Sequence, residues 1–226
     1  TPTGASDDEF NRVSFLSHFD GTNNGVNNQF TDGSASNHTI TANGNVTQGS
    51  FGPFARPDGE WAVAFDGSGD YLSVPDSADF DMGSGNFTAE CWVFPTASPS
   101  QPIIMGQWSG SYSWAIQFSN NSSRYLRFLT NAGGIADNVS STAVPLNQWS
   151  HVALVRNGTS FVAYLNGTSV VSSTVSGSLT NSTNALSIGG GVGGGQPYEG
   201  SISNVRIAKG TAVYTSNFTP STAPLT

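Results

Sequence analysis

Apolar and polar residues alternate along much of the chain, which is the pattern of β-strands. In the segment 87–93 (FTAECWV), the apolar Phe87, Ala89, Cys91 and Val93 occupy alternate positions, with Thr, Glu and Trp between them. A strand with this order presents one apolar face and one mixed face. The single cysteine lies on the apolar face, so we expect its thiol to be buried and unreactive.

Extended segments of this kind recur at short spacing and are separated by Gly, Pro, Asn and Asp. No window shows the period of an amphipathic helix. The clearest hairpin joins 149–156 to 160–165 through Asn157 and Gly158. The other predicted strands are 13–19, 39–42, 61–65, 71–74, 87–93, 103–107, 113–118, 125–130, 170–175, 185–188 and 201–208. Many short strands without helices predict an all-β sandwich or barrel of antiparallel strands.

Composition supports a folded β protein with few charges. Only 10% of the 226 residues are charged, whereas 14 Phe, 6 Tyr and 5 Trp can fill a core. The formal charge of −8 and the single lysine disfavour nucleic acid and anionic membrane surfaces as partners. No apolar run approaches the roughly 20 residues of a membrane span, so we expect no membrane insertion.

The strand pattern also predicts how the chain is divided. Residues 1–9 combine Pro, Gly and three acidic residues, and we expect a disordered lead-in there. Residues 10–226 are predicted to form one domain, because no repeat or interdomain linker interrupts the strands. The glycine-rich segment 189–195 is interpreted as a flexible rim loop, and the Pro-containing tail 215–226 as a segment that packs along the surface.

Five motifs in a fixed order resemble the laminin-G-like, concanavalin A-like jelly roll. They are SHFDGTNN, FDGSGDYLSVPDSADFD, FTAECWVFP, NQWSHVALVRNGTSFVAYLNG and YEGSISNVRIAKGTAVYTSNFTPSTAPL, and together they span residues 10 to 225. The last motif is similar to the ending of the branch found in tail or virion proteins of bacteriophages. The resemblance implies a concanavalin A-like jelly-roll sandwich of two stacked antiparallel sheets.

The same resemblance implies a binding role without catalysis. Members of the family usually bind glycans or sometimes protein partners, often with a structural Ca²⁺ at the sandwich rim. For this chain it implies a carbohydrate-binding or adhesion module on a phage virion (tail fibre, spike or capsid decoration) that contacts host-surface glycan. Its location would be the virion surface or the extracellular space. The alternative is a structural virion protein that docks on other subunits, including copies of itself, and binds no sugar.

The candidate metal ligands are Asp20, Asp32 and Asn37, which follow the first predicted strand. Ca²⁺ prefers carboxylate, amide and carbonyl oxygens on a loop, and the family often places an Asp followed by Ser, Gly and Asn here. Two extra residues stretch that spacing in this chain, so the alternative is that Asp32 and Asn37 form an ordinary Asx turn.

A second acidic loop contains Asp76, Asp79 and Asp81, and it is a weaker candidate for a metal site. We interpret these residues chiefly as turn-capping groups beside Phe80. The three histidines are far apart and lack the spacing of zinc ligands.

Sugar sites combine an aromatic platform with amide and carboxylate hydrogen-bond partners. Trp108 and Tyr112 in the segment QWSGSYSW are the candidate platform. Asn131 and Asp137, in a predicted loop, are the candidate polar partners, and Tyr198 after the glycine-rich segment is a further aromatic candidate.

Glycan hydrolysis is the third functional alternative, and the sequence disfavours it. Cleavage needs two carboxylates about 5 to 9 Å apart, often on alternate residues of one strand. Glu9, Glu60, Glu90 and Glu199 are the only glutamates, and they form no such cluster. Nucleophile-elbow and phosphate-loop motifs are also missing from the sequence. We therefore expect a protein that is not an enzyme.

Overall fold

In the part of the chain that the structure describes, two antiparallel β-sheets are accompanied by two single turns of 3-10 helix. The computed structural model describes residues 10–19, 28–54, 61–109, 111–119 and 123–226. The 3-10 turns are Phe10–Arg12 and Ala78–Phe80. The strands are β1 (Val13–Ser17), β2 (Thr41–Asn43), β3 (Thr47–Gly49), β4 (Ala62–Asp66), β5 (Tyr71–Val74), β6 (Phe87–Pro95), β7 (Ile103–Ser109), β8 (Ser111–Phe118), β9 (Tyr125–Asn131), β10 (Ile135–Ala143), β11 (Ser150–Asn157), β12 (Ser160–Leu165), β13 (Thr168–Thr174), β14 (Leu186–Ile188) and β15 (Glu199–Lys209). Within this part of the chain, no helix has the length and apolarity needed to cross a membrane.

Sheet A has the strand order β13-β12-β11-β6-β15-β4-β3, and β1 also pairs with β15. The long strand β15 pairs with β4 through 199–202 and with β1 through 205–208, so β4 and β1 lie end to end along one of its edges. Sheet B has the order β10-β9-β8-β7-β14-β5-β2. The turn after Asp66 leads from β4 in sheet A to β5 in sheet B, so these two strands do not form a hairpin.

The core lies between the two sheets and is filled by alternate residues of strands such as β6, β9 and β12, as the sequence predicts. Cys91 is fully buried among the other inward residues of β6, and burial raises the pKa of its thiol. Phe128 of sheet B stacks on Phe161 of sheet A, with ring centroids 6.2 Å apart. Phe87 and Trp114 meet across the same gap at 5.7 Å. These aromatic contacts join the two sheets directly.

The C-terminal tail covers part of the outer face of sheet A, which confirms the prediction that it packs along the surface. Tyr214 and Phe218 stack with ring centroids 3.5 Å apart and pack on Tyr164 of β12. Leu225 packs with Val13 and Leu16 of β1. The outer face of sheet A therefore forms a second apolar layer beneath the tail.

One expectation about an individual segment is wrong, and another segment is packed more closely than its sequence suggests. The strand β10 occupies a segment whose start is predicted to be a loop. The sequence does not reveal this strand, because IADNVSSTA is mostly small and polar and has no continuous apolar face. The segment 189–195 forms a loop, as predicted, in which Gly189, Gly190 and Gly191 are buried and Val192 and Gly193 are exposed. A Cβ at Gly189 would lie 2.2 Å from the ring of Phe65, so the absence of a side chain permits close packing there.

A β-bulge distorts the pairing of β7 with β8. Gly106 pairs with Ala115 and Trp108 pairs with Tyr112, so the one residue between them on β7 lies opposite two residues on β8. A Cβ at Gly106 would lie 2.4 Å from the carbonyl oxygen of Trp114. The strand opposite the bulge therefore requires a glycine at this position.

We expect Gly106→Ala to lower the free energy of unfolding by about 2 to 3 kcal/mol, because the added methyl group collides with backbone atoms. Chemical denaturation of the purified protein measures this change. Gly134→Ala is the matched control, since no atom lies within 4 Å of the position of its added Cβ, and its effect should stay within about 0.5 kcal/mol. Equal stability of the two variants would show that β8 can shift away from β7.

Candidate functional site

The outer face of sheet B carries an open pocket with a volume of about 260 Å³. Strands β7 to β10 supply most of its wall, and the segments before β7 and β15 complete it. Its lining consists of two aromatic, two aliphatic and five polar side chains, which are Trp108, Tyr112, Leu129, Ile135, Gln101, Gln117, Arg127, Asp137 and Gln196. An apolar wall with a few converging polar groups is typical of sites for small ligands.

Trp108 and Tyr112 form the aromatic side of the pocket. Their rings are stacked, with centroids 4.6 Å apart and planes inclined by 28°. Strict alternation along β8 would place Tyr112 on the same inward face as Trp114. The β-bulge adds one residue between them and turns Tyr112 outward, where it is 36% exposed. Stacking covers one face of each ring, so an opposite ring face is the flat apolar surface left for a ligand, at the ends of β7 and β8 that pair through Trp108 and Tyr112.

Arg127 and Asp137 form the polar side of the pocket. Nε of Arg127 donates to Oδ1 of Asp137 at 2.7 Å, and Nη2 donates to Oδ2 at 2.7 Å. This two-point geometry is the strongest form of an ion pair between arginine and a carboxylate. The arginine side chain is 12% exposed and the aspartate side chain 47% exposed. Asp137 therefore keeps part of its acceptor capacity accessible to a ligand.

Gln117 lies beneath this ion pair and has an unused donor. Its side chain is fully buried, and its Oε1 accepts a hydrogen bond from Nη1 of Arg127 at 3.2 Å. Its Nε2 has no hydrogen-bond partner among the described residues. An amide N–H group left unpaired costs free energy, and Gln117 lines the pocket. A ligand oxygen at this position would satisfy that donor.

The structure brings together three of the five candidate ligand residues, Trp108, Tyr112 and Asp137, around one pocket. Asn131 lies beside it at the end of β9, where its Nδ2 donates to the carbonyl oxygen of Tyr112 at 3.1 Å. It therefore supports the platform from the side. Asp137 belongs to β10 and not to the predicted loop.

The expectation that Tyr198 is available on the rim is wrong. Its ring is fully buried and packs between Phe65 and Phe118. Burial also raises the pKa of its hydroxyl well above the ordinary value. A side chain in this position stabilises the core and cannot reach a ligand.

Sequence analysis alone missed Gln117 and Arg127. Both lie on strands whose other face is apolar, at the outward positions of SWAIQF in β8 and YLRFLT in β9. They are cross-strand partners. The alternation itself identifies them as outward residues, but only the pairing of β8 with β9 shows that they meet.

The family is decided by the sequence match. Residues 66–212 match the model of the Concanavalin A-like lectin/glucanases superfamily, Laminin_G_3, which covers more than half of the chain. The chain belongs to this family. Its two antiparallel sheets are therefore a concanavalin A-like jelly roll, as the ordered motifs predict. No curated protein sequence matches the chain.

Solved structures share this fold at low sequence identity. Domain 4 of AbnA, a GH43 extracellular arabinanase from Geobacillus stearothermophilus solved in complex with arabinotriose, is 17% identical, with a TM-score of 0.66 over 89% of this chain and 94% of that domain. The binding domain of Paraclostridial Mosquitocidal Protein 1 is 14% identical, with a TM-score of 0.67 over 91% of this chain and 50% of that one. The binding domain of Botulinum Neurotoxin DC, in complex with SialylT, is 14% identical, with a TM-score of 0.62 over 89% and 49%. The chain spans about half the length of these two toxin domains.

The Asp32 loop of this laminin-G-like domain does not fit a calcium ligand set. Oδ1 of Asp32 accepts from the backbone N–H groups of Leu16 and Ser34, each at 2.9 Å. Oδ2 accepts from the hydroxyl of Ser34 and the backbone N–H of His38, each at 2.8 Å. A cation at these oxygens would meet donor hydrogens. Asn37 adopts a left-handed turn conformation, with φ of 46°.

The remaining candidate ligands do not complete a metal cage. Asp20 lies outside the described residues. Among those that the structure describes, no three His, Cys, Asp or Glu side chains cluster as metal ligands would. In the second acidic loop, Asp79 accepts from Ser36 and lies 3.0 Å from Nε2 of His38, which ties two loops together. The hydrogen bond from the backbone N–H of Ser34 is that of an Asx turn, and the N–H groups of Leu16 and His38 occupy further acceptor positions of Asp32.

The family name includes glucanases, whose chemistry uses carboxylates, and the most buried carboxylate among the described residues is that of Glu90. Glu90 of β6 is fully buried on the outer face of sheet A, under the tail. Nε of Arg206 donates to its Oε1 at 2.8 Å, while His151 and the hydroxyl of Tyr214 contact its Oε2 at 2.8 Å. Nη1 of Arg206 also donates to the carbonyl oxygen of Thr226 at 2.6 Å. Glu90 therefore fixes the tail to the sheet.

The electrostatics of Glu90 are those of a structural ion pair. Burial alone raises the pKa of a carboxyl group, but the hydrogen bond from His151 and the positive charge of Arg206 outweigh burial and leave the pKa of Glu90 below its ordinary value. The pKa of Tyr214 is raised, first by burial and then by the charge of Glu90. A general acid needs a raised pKa and access to substrate, and Glu90 has neither.

We expect Asp32→Ala to lower the free energy of unfolding by about 3 kcal/mol, because it removes the acceptor of three buried backbone N–H groups. For a chain of this size the melting temperature should fall by about 6 to 10 °C. The same fall in melting temperature is expected with and without a calcium chelator. The melting temperature of Asp32→Asn should lie between those of Asp32→Ala and the wild type. A wild-type melting temperature that drops with chelator, and an Asp32→Ala variant that does not respond, would establish calcium at this loop.

We expect Glu90→Gln to lower the free energy of unfolding at neutral pH by about 3 kcal/mol, because it leaves Arg206 without its counter-charge. Since the folded-state pKa of Glu90 is lowered, its stabilisation is complete above the unfolded-state pKa and is lost as pH falls toward the folded-state pKa. Denaturation curves between neutral and acidic pH should therefore converge for the wild type and the variant at low pH. Glu199→Gln, at a partly exposed position, is the control. A constant difference across the pH range would contradict the assignment of a charged Glu90.

Proposed function

We propose that this domain is a non-catalytic carbohydrate-binding module and that its ligand site is the pocket on the outer face of sheet B. The observation that carries the proposal is the stacked pair of Trp108 and Tyr112 beside the unpaired donor of Gln117 and the accessible carboxylate of Asp137. Sugars need both kinds of surface, because their C–H faces stack on rings while their hydroxyl groups exchange hydrogen bonds.

The number and the pairing of the carboxylates at the pocket support a role without catalysis. Among the described residues that line the pocket, the one carboxylate is Asp137, and it is held in an ion pair with Arg127. Hydrolysis of a glycosidic bond uses two carboxylates that flank the bond. Glu90, the candidate on the other sheet, is buried beneath the tail and is engaged by Arg206 and His151.

Similar structures are compatible with this role. The arabinanase domain was solved with arabinotriose, and one of the neurotoxin domains with SialylT. At 17% and 14% identity these likenesses establish the fold alone, and the toxin domains are about twice as long as this chain. The case for binding therefore rests on the pocket itself.

The C-terminal motif supports a more specific setting. Its similarity to the endings of phage tail and virion proteins suggests a module displayed on a virion surface, where it would contact host glycan. In that setting the module could also assemble with further copies of itself or with other virion subunits.

A structural role in docking is the rival proposal, and one feature favours it. Phe51 is 50% exposed and packs edge-on against Phe94 beside Trp149. A neighbouring groove of about 310 Å³ is lined by Phe54 and Trp92, with Pro53 and residues 220–222. Exposed aromatic clusters of this kind are common in protein interfaces.

We expect the purified domain to bind members of a glycan array and Trp108→Ala or Tyr112→Ala to weaken the binding by about tenfold, or about 1.4 kcal/mol. Phe51→Ala is the control, because it removes an exposed aromatic ring from the other sheet. Melting temperatures establish that each variant is folded. Binding that is lost in Phe51→Ala and kept in Trp108→Ala would move the site to sheet A. No binding to any glycan, together with stable co-assembly with a virion subunit, would favour the rival role.

A further inference from the structure

We propose that the pocket selects uncharged glycans and rejects those that carry a carboxylate. This inference rests on the proposed carbohydrate-binding function and specifies the chemical class of the ligand. It comes from the state of three polar side chains, Gln117, Arg127 and Asp137, which lie together beside the aromatic pair.

Arg127 is the one cationic side chain in the described lining of the pocket, and its charge is already neutralised. Two of its nitrogens donate to the two oxygens of Asp137, and a third donates to Oε1 of Gln117. Recognition of a carboxylate by arginine uses the same paired donors. Asp137 therefore occupies the position that an acidic sugar would need.

The accessible part of the polar side is the carboxylate and not the cation. The side chain of Asp137 is 47% exposed, whereas that of Arg127 is 12% exposed. A carboxylate on the ligand would approach a like charge, and a net charge of −8 on the whole chain adds to the repulsion at longer range. Both effects disfavour sialic and uronic acids.

The hydrogen-bonding capacity that is left over matches hydroxyl groups. Nε2 of Gln117 is a donor without a partner, and the oxygens of Asp137 are acceptors. A hydroxyl group can accept from the first and donate to the second, because it has one donor and two acceptor positions. An ionised carboxylate can only accept, so it could satisfy Gln117 but not Asp137.

The aromatic and aliphatic walls complete the selection without adding charge. Trp108 and Tyr112 give a stacking surface, and Leu129 and Ile135 lie on the neighbouring strands. A sugar ring lying on this surface would direct its edge hydroxyl groups toward Gln117 and Asp137. The site thus fits a neutral ring with adjacent hydroxyl groups.

The test is a glycan array that pairs each neutral oligosaccharide with the same oligosaccharide bearing one terminal sialic or uronic acid. The wild type should bind the neutral member of each recognised pair about tenfold or more tightly than the acidic member, a difference of about 1.4 kcal/mol or more. Asp137→Asn retains an amide oxygen toward Arg127 but removes the negative charge. This substitution should raise the affinity for the acidic member, so that the neutral member is bound only about threefold more tightly or less.

Two further variants separate charge from donor capacity. Gln117→Leu should weaken binding of the neutral member by about tenfold and leave the rejection of the acidic member in place. Asp81→Asn removes one negative charge outside the pocket lining, and it should leave the preference unchanged. Melting temperatures of all variants show whether a lost signal reflects unfolding.

The outcomes distinguish this inference from the function on which it rests. If no oligosaccharide binds, the proposed function fails and the selectivity fails with it. If glycans bind and Trp108→Ala abolishes the binding, but acidic members are bound as well as neutral ones or better, only the selectivity is overturned. It is also overturned if Asp137→Asn keeps the full preference for the neutral member.

Discussion

The structure depends on one constraint, the burial of alternate side chains from two sheets in a single shared core. Phe128 and Phe161 show the result, since one ring from each sheet stacks on the other across the gap. Burial of large aromatic side chains supplies much of the free energy of such a core. A strand that contributes to this core, such as β8 or β9, therefore has one set of residues committed to it, and only the other set is available for function.

The two outer faces use this remaining set in different ways. On sheet A the outward residues include Glu90 and Arg206, and the tail lies over them. The carboxylate is fully buried only because it is paired and hydrogen-bonded, and its ion pair gives the tail a defined position. On sheet B the outward residues Gln117 and Arg127 line the floor of the pocket, with Gln117 fully buried beneath Arg127. The polar residues on the outer face of sheet A thus hold the tail, whereas those on sheet B line a pocket.

Sequence alone predicts the architecture well because alternation depends on burial, which is a property of each strand by itself. The alternating residues of β6 and the hairpin at Asn157 and Gly158 are confirmed. Polar strands are harder to predict from the sequence because they lack an apolar face, and long-range contacts are harder to predict because the contacting residues are distant in sequence. For that reason β10 is missed and Asp137 is assigned to a loop. The prediction for Tyr198 is wrong for another reason. The neighbouring glycine-rich segment suggests that its ring is exposed, whereas Phe65 and Phe118 enclose the ring in the core.

The candidate site itself depends on a break in the alternation. Trp108 faces outward with Gly106, whereas Tyr112 has the same parity along β8 as Trp114, whose ring is in the core. Only the extra residue of the β-bulge brings Tyr112 to the outer face. That bulge fits only because Gly106 has no side chain where the carbonyl oxygen of Trp114 approaches. One backbone irregularity thus converts a core-forming strand into part of an aromatic platform, and pattern reading cannot detect it because the irregularity lies in the pairing of two strands.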